Sequence, residues 1–467
     1  MDEKTNWATH VLAVFLFLLT ALSSPVSMIR QVVSVISAFS SSRRSSQIKI
    51  EGEEKDLTLF KPAVVNKVDE LPLDLLVEIL VRLPARDLLQ LKSVCRSWDA
   101  AISSPFLVSM HLRNYTNGPA GSASQTLMAC ERPNFDVRYD GCTPVRLFSP
   151  LCHGDHVSPQ VQYLKFDTLI IAGPCNGIFL MGDGKSEVRI WNPATGKSRE
   201  ITMPPVRKST AATHYFDSYG FGLDPVAKDF KIVMIRHFWN DDTAVSPWCV
   251  LVASSSPKFP SQVVVYTPGT DTWRELEELR LEVDIFDSVR SYNYLNGFFF
   301  WACLSPLAAL AFDLENEVFR VVDDPVPNLY DCIYDEAGMK QLLVYKDALA
   351  LFLFQESSGG CDLWLLSEEW CWVKHQTVAP FIPPSVMLPA PAEVAAGEDW
   401  MPGNYPYMSV VGWWRDDELI LVRGYGTSET HELVLFDPAT QATKVVADGV
   451  RGARRVYVNK ESLVTVG

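Results

Sequence analysis

The chain has 467 residues, 48% of them hydrophobic and 21% charged, and a net charge of −15. A chain of that length and composition can bury large cores in two or three folding units and is not disordered throughout. The negative balance lies beyond residue 113, where 28 Lys/Arg face 44 Asp/Glu; an acidic domain of that kind repels phosphate backbones, which argues against nucleic acid as a partner.

The first 65 residues form a hydrophobic and linker segment with the composition of a largely disordered region. Within them Val11–Leu22, VLAVFLFLLTAL, is apolar and is trailed by Ser23, Ser24 and Pro25. Its twelve residues fall short of the ~20 that a helix needs to cross a bilayer, and the pattern is that of a signal-like core, a membrane-surface anchor or a non-native extension. The run from residue 40 to 56, containing SSSRRSS and EGEEKD, reads as a flexible linker. Ten cysteines are scattered without a C-x-x-C pair, a pattern of reduced thiols suited to the cytoplasm or nucleus.

Residues 69–104 form the densest helical pattern. Leu71, Leu75, Ile79 and Leu83 recur every four residues, with Leu76 and Leu80 widening the stripe. Pro72 suits a first helical position and Asp74 puts negative charge in the first turn. Pro84 closes that helix, Asp87 is expected to cap the next, and Val94, Trp98 and Ile102 mark a third apolar face. So short a unit has more apolar surface than it can bury alone, which predicts a protein partner.

The phrase LP-x-DLL-x-EIL-x-RLP-x-x-DLL-x-x-K-x-VC-x-SW resembles the F-box over residues 66–113. The resemblance implies a three-helix unit that docks on a Skp-type adaptor and, through it, on a cullin. Carried onto this chain, the docking positions are Leu71, Pro72, Leu75, Ile79, Leu80, Leu83, Pro84, Leu88, Val94, Cys95 and Trp98. Leu76, Leu89 and Ile102 are read instead as the unit's own core, and Trp98 as serving both roles.

Asn114–Gln125, NYTNGPAGSASQ, reads as a turn-rich stretch that places a linker over 114–126. From 127 to 467 the pattern changes to short β-rich runs punctuated by Gly, Pro, Asn and Asp. One phrase recurs: VRIWNPATGKSREI (188–201), VVVYTPGTDTWREL (263–276), ALAFDLENEVFRVV (309–322) and LVLFDPATQATKVV (433–446), with DLWLLSEEWCWVKHQTV (362–378) a looser copy. The phrase reads as a β-hairpin, its turn supplied by Asn-Pro or Asp-Pro in the clearest copies, and the looser copy lacks the Pro turn. Between the copies lie more hydrophobic strands, among them GPCNGIFLMG (173–182) and YGFGLDPVAKDFKIVMI (219–235). Strand, hairpin and strand in that order is what a propeller blade requires, and the region is long enough for about six or seven four-stranded blades. On the W-N-P-x-T-G and Y-G-F-G-x-D phrases the region resembles the kelch-like F-box-associated domain of plant F-box proteins, without the regular Gly-Gly pairs of strict kelch repeats. The expected fold class is thus mainly β with a small α domain: a three-helix F-box followed by a kelch-like β-propeller.

Signals for chemistry are weak. Gly184-Lys185-Ser186 and Gly196-Lys197-Ser198 end like phosphate loops but lack the glycine five residues earlier and sit in hairpin turns. Cys152, His153, Asp155 and His156 crowd one loop with no second cluster at metal-site spacing. No catalytic residue, metal site or cofactor is implied. The stretches His237–Trp248 and Ala379–Tyr407 are long connections with aromatic residues, and Trp239, Trp248, Trp400 and Tyr405 are the candidates for target binding. The expected role is that of a non-catalytic subunit that brings an unknown protein substrate to a ubiquitin ligase, in the cytoplasm or nucleus, with membrane contact through Val11–Leu22 an open alternative. The other readings are a propeller enzyme of oxidase or glycosidase type and a propeller scaffold outside the ubiquitin system.

Overall fold

A computed structural model describes residues 77, 80–93, 96–117, 125–130, 143–148, 160–164, 169–182, 187–205, 214–239, 261–276, 293–303, 307–326, 340–345, 347–354, 360–378, 406–414, 418–425, 430–451 and 455–466. The chain divides into two compact units, one of residues 1–121 with Glu461–Leu463 and one of residues 122–460 with 464–467.

The first unit is helical. Its described helices are α1 Ala85–Leu91, α2 Arg96–Ile102 and α3 Pro105–Asn117. Leu80, Leu83, Ala85, Leu88, Leu91, Ile102 and Leu107 are buried and make its core. Asp87 does not cap α1. Pro84 holds the N-cap position in an extended conformation (φ −56°, ψ 148°), the helix begins at Ala85, and Asp87 lies inside the first turn. There its charge faces the helix N-terminus, while partial burial raises its pKa. The turn-rich reading of Asn114–Asn117 is also corrected: α3 runs through these residues, and Gly118-Pro119, the stronger helix breakers by residue type, come only after them in the sequence. His111 on α3 donates from Nε2 to the Leu83 carbonyl at 2.9 Å, pinning that helix to the turn before Pro84. In the same unit Arg86 pairs with the buried Glu461 at 2.5 Å.

The second unit is built of β-strands. In chain order they are β1 Gln125–Cys130, β2 Thr143–Phe148, β3 Gln160–Leu164, β4 Leu169–Cys175, β5 Ile178–Gly182, β6 Glu187–Trp191, β7 Ser198–Thr202, β8 His214–Leu223, β9 Phe230–Trp239, β10 Gln262–Thr267, β11 Thr272–Glu275 and β12 Asn293–Leu295. They continue as β13 Phe298–Ala302, β14 Leu307–Asp313, β15 Val318–Asp323, β16 Lys340–Tyr345, β17 Ala348–Phe354, β18 Cys361–Leu366, β19 Trp372–Val378, β20 Pro406–Trp414, β21 Glu418–Tyr425, β22 Thr430–Asp437, β23 Ala442–Arg451 and β24 Arg455–Lys460. Among the described residues they form six four-stranded antiparallel sheets. Five are meanders of consecutive strands. The sixth takes β24 from the C-terminal end of the chain as its inner strand and β1, β2 and β3 as the rest, with Gln125 paired to Lys460. Strand β24 neighbours β4 on one side and β20 on the other, so the propeller closes through this composite blade.

The inner strands read as hydrophobic runs because both faces of a blade are covered there, while the outermost strands β7, β11, β15 and β19 are largely exposed. On β9, Ile232 packs towards β5 and β6, while Val233 and Ile235 pack towards Phe299, Trp301 and Phe312 of the next blade. On β13 the alternation repeats: Phe299 and Trp301 face back, Phe300 and Ala302 face forward onto Leu342, Leu349 and Leu351. Two glycines of the Y-G-F-G phrase allow this approach. A Cβ on Gly220 would stand 2.7 Å from Trp301, and one on Gly222 2.3 Å from Tyr294. The freed space is used for hydrogen bonds, Trp301 Nε1 to the Tyr219 carbonyl at 3.0 Å and the Tyr294 hydroxyl to the Leu223 carbonyl at 2.7 Å.

The recurring phrase forms the outer hairpin of five blades. Asn192 Oδ1 accepts the amides of Ala194 and Thr195, Asp313 those of Glu315 and Asn316, and Asp437 those of Ala439 and Thr440. Asp224 does the same for Val226 and Ala227 in an inner hairpin. The side-chain oxygen thus replaces a backbone acceptor and fixes the turn. Four residues after each of these Asx residues the chain turns left-handed, at Gly196, Glu317, Gln441 and Lys228. Gly196-Lys197-Ser198 is therefore hairpin turn and strand start, not a phosphate loop.

Candidate functional site

Strand order decides which connections share a face of the propeller. Within a blade the strands alternate in direction, and successive blades repeat the same order. The turns between first and second strands, and between third and fourth, therefore open on one face. Outside the composite blade these are short, such as 176–177, 296–297 and 438–441. Connections between second and third strands, and the crossovers to the next blade, open on the opposite face. They include the longest ones, 240–261, 276–292, 324–339 and 379–405. The first strand begins at Gln125 and the last ends at Lys460, both on the short-turn face.

Of the residues expected to bind a target, Trp239 is the last residue of β9, at the long-connection face. Trp248, Trp400 and Tyr405 lie outside the described residues, in connections that start and finish at that same face. The long-connection face thus unites stretches that the sequence left unrelated.

This face also carries a cluster that the sequence did not single out. Asp217 near the start of β8 stands opposite Arg236 near the end of β9. The guanidinium donates from Nε to Asp217 Oδ1 at 2.7 Å and from Nη2 to Oδ2 at 2.9 Å, a bidentate pair. Arg236 is only 2% exposed, and the Tyr215 ring lies 4.7 Å from its Cζ, itself next to Phe238 at 6.3 Å between ring centres. Tyr215 is 43% exposed. Asp217 and Arg236 stand equally far from the D-P-V-A-K-D turn, so counting outward along both arms would have paired them.

Two lysines reinforce the neighbouring blades. Against the cost of burial, Asp224 at 2.7 Å and Glu317 at 3.1 Å hold Lys231 above its ordinary pKa. For Lys340, burial lowers the pKa despite Asp324 at 2.7 Å. Its other donors reach the carbonyls of Cys303 and Leu307, so this lysine is committed to structure.

In the helical unit, the expected adaptor positions separate by burial. Leu80, Leu83 and Leu88 are inside the unit, where they shape its surface rather than present it. Pro84 and Trp98 are partly exposed. Leu71, Pro72, Leu75, Ile79, Val94 and Cys95 lie outside the described residues, as do Val11–Leu22 and the loop holding Cys152, His153, Asp155 and His156. Among the described residues no group of three or more His, Cys, Asp or Glu is placed to hold a metal ion, and no helix is long and apolar enough to cross a membrane.

Residues 152–455 match the family described as "F-box associated beta propeller domain". The chain belongs to this family. Residues 68–112 match the family described as F-box-like. An F-box/kelch-repeat protein of Arabidopsis thaliana is 25% identical over 272 residues, covering 55% of this chain and 66% of the relative. A second Arabidopsis protein, whose name also places it among F-box proteins, is 25% identical over 377 residues, covering 75% of this chain and 87% of its own. Among solved structures, a hypothetical selenium-binding protein of Sulfolobus tokodaii aligns over 76% of this chain and 96% of its own, at 10% identity and a TM-score of 0.40. An oligogalacturonate lyase in complex with manganese aligns over 69% and 78%, at 10% identity and a TM-score of 0.36. The F-box-like segment falls on the helical unit, and the F-box-associated propeller family on the β unit.

Proposed function

We propose that the chain is the target-recognition subunit of an SCF-type cullin–RING ubiquitin ligase. In this reading the F-box binds a Skp-type adaptor, the adaptor joins a cullin, and the propeller captures the protein to be ubiquitinated. The observation that carries it is the union in one chain of an F-box-like segment and an F-box-associated propeller. The mechanism is proximity: a bound target presents its lysines at high effective concentration to a conjugating enzyme held elsewhere in the complex. That role asks no residue of this chain to act as acid, base or nucleophile. It places the chain in the cytoplasm or nucleus.

Of the expected adaptor positions, Pro84 and Trp98 are the described ones with surface to offer an adaptor. Leu80, Leu83 and Leu88 support them from the core. On the propeller, the long-connection face is the target side, because its variable-length connections stand on rigid blades. Gel filtration of the full chain with purified adaptor and cullin tests this reading. Co-elution of all three supports it, and separate elution of the chain removes it.

A further inference from the structure

We propose that Tyr215 and Arg236 form a peptide-anchoring site on the long-connection face, one that takes a neutral carbonyl acceptor from the target beside an apolar side chain. This deepens the target-recognition reading and rests on it.

The first observation is an unused donor. Arg236 spends Nε and Nη2 on Asp217, and Nη2 also approaches Met234 Sδ at 3.8 Å. Nη1 is buried and has no hydrogen-bond partner. A buried guanidinium nitrogen without an acceptor is costly in the free protein, so an acceptor admitted when the overlying Tyr215 ring turns aside gains what the free state lacks.

The second observation is an exposed ring above it. Tyr215 covers the guanidinium at 4.7 Å yet remains 43% exposed, a large amphipathic side chain steadied by the cation below and Phe238 beside it. Exposed aromatic surface of this kind, next to a desolvated arginine, is the usual make-up of a binding hot spot.

Charge selects the ligand class. The Arg236 cation is already matched by Asp217, so a second carboxylate would add unmatched negative charge to a chain that carries −15. A neutral acceptor meets no such cost. A main-chain carbonyl or an Asn or Gln side chain is therefore favoured over an acidic or phosphorylated residue. Strand ends β8 and β9 place the site on the face where Trp239 and the connection 240–261 begin.

The test uses the full chain bound to a Skp-type adaptor and a displayed library of random peptides about twelve residues long. Enriched peptides are measured against wild type, Tyr215→Ala, Tyr215→Phe and Arg236→Lys. Lysine keeps a charge for Asp217 but lacks the second guanidinium nitrogen. The expected result is enriched peptides of low net charge that weaken about tenfold or more on Tyr215→Ala and Arg236→Lys and persist on Tyr215→Phe. If Arg236→Lys does not fold by circular dichroism, the Tyr215 pair decides alone. The proposal is overturned if no enriched peptide depends on Tyr215, including the case where none is enriched, or if the dependent peptides are acidic. Failure of the wild-type chain to hold the adaptor would instead refute the broader reading, whatever the peptides do.

Discussion

Trp273 donates its indole N–H to the carbonyl of Thr202 at 2.8 Å, joining the outermost strand of one blade to the outermost strand of the blade before it. Two blades further on, Trp372 repeats the contact with Asp323, again at 2.8 Å. Both tryptophans belong to the recurring outer hairpins, so the repeat encodes a bond between blades as well as a turn. Trp273→Phe keeps most of the ring and loses the donor. It is expected to destabilise the propeller by about 1 kcal/mol, the net worth of such a bond, read as a shifted denaturation midpoint with unchanged slope.

Two turn positions should respond with opposite signs. Gly196 is left-handed at φ 69°, and a Cβ there meets nothing within 4 Å. Gly196→Ala therefore isolates the backbone cost and should destabilise by about 1 kcal/mol. Gln441 holds the equivalent conformation at φ 57°, so Gln441→Gly should be neutral or stabilising by up to about 1 kcal/mol. Thermal unfolding of both variants reads the difference directly.

Close approach governs Gly222. Its Cβ would stand 2.3 Å from Tyr294 and 2.5 Å from Leu314, so Gly222→Ala should cost about 1–3 kcal/mol through overpacking. A larger loss is expected from Gly222→Val, and an unchanged melting temperature in both variants would show that the two blades do not meet there.

His111 gives the helical unit a pH dependence. Burial lowers its pKa to about 4 from an ordinary 6.5, more than the Leu83 carbonyl raises it. The unfolded chain thus binds the proton first on acidification. The contribution is complete above about pH 6.5 and is lost as pH falls towards about 4, on the order of 3 kcal/mol in all. Hydrogen exchange of the α3 amides, corrected for intrinsic rates, should show protection falling between pH 7 and pH 5. In His111→Asn that fall should be much smaller.

Much of this architecture was legible because it is local. Asn192, Asp313 and Asp437 announce their turns by residue type, and the hydrophobic run before each of them is a largely buried strand. What stayed hidden depends on partners distant in sequence. The composite blade pairs Gln125 with Lys460, and no pattern within β1, β2 or β3 reports that neighbour. Left-handed turns at Lys228, Glu317 and Gln441 carry no glycine to mark them. Asp87 looked like a cap because its side chain suits one, but Pro84 starts the helix three residues earlier. The Tyr215–Arg236 cluster needed the hairpin register to bring its members together.

The proposed role requires the F-box to hold a Skp-type adaptor. Titration calorimetry of purified adaptor into the full chain, wild type and Trp98→Ala, at two temperatures measures that binding. The expected result is one-to-one binding by wild type and affinity at least about tenfold weaker in Trp98→Ala, with helical circular dichroism unchanged. No heat at either temperature from the folded wild-type chain would overturn the proposed role.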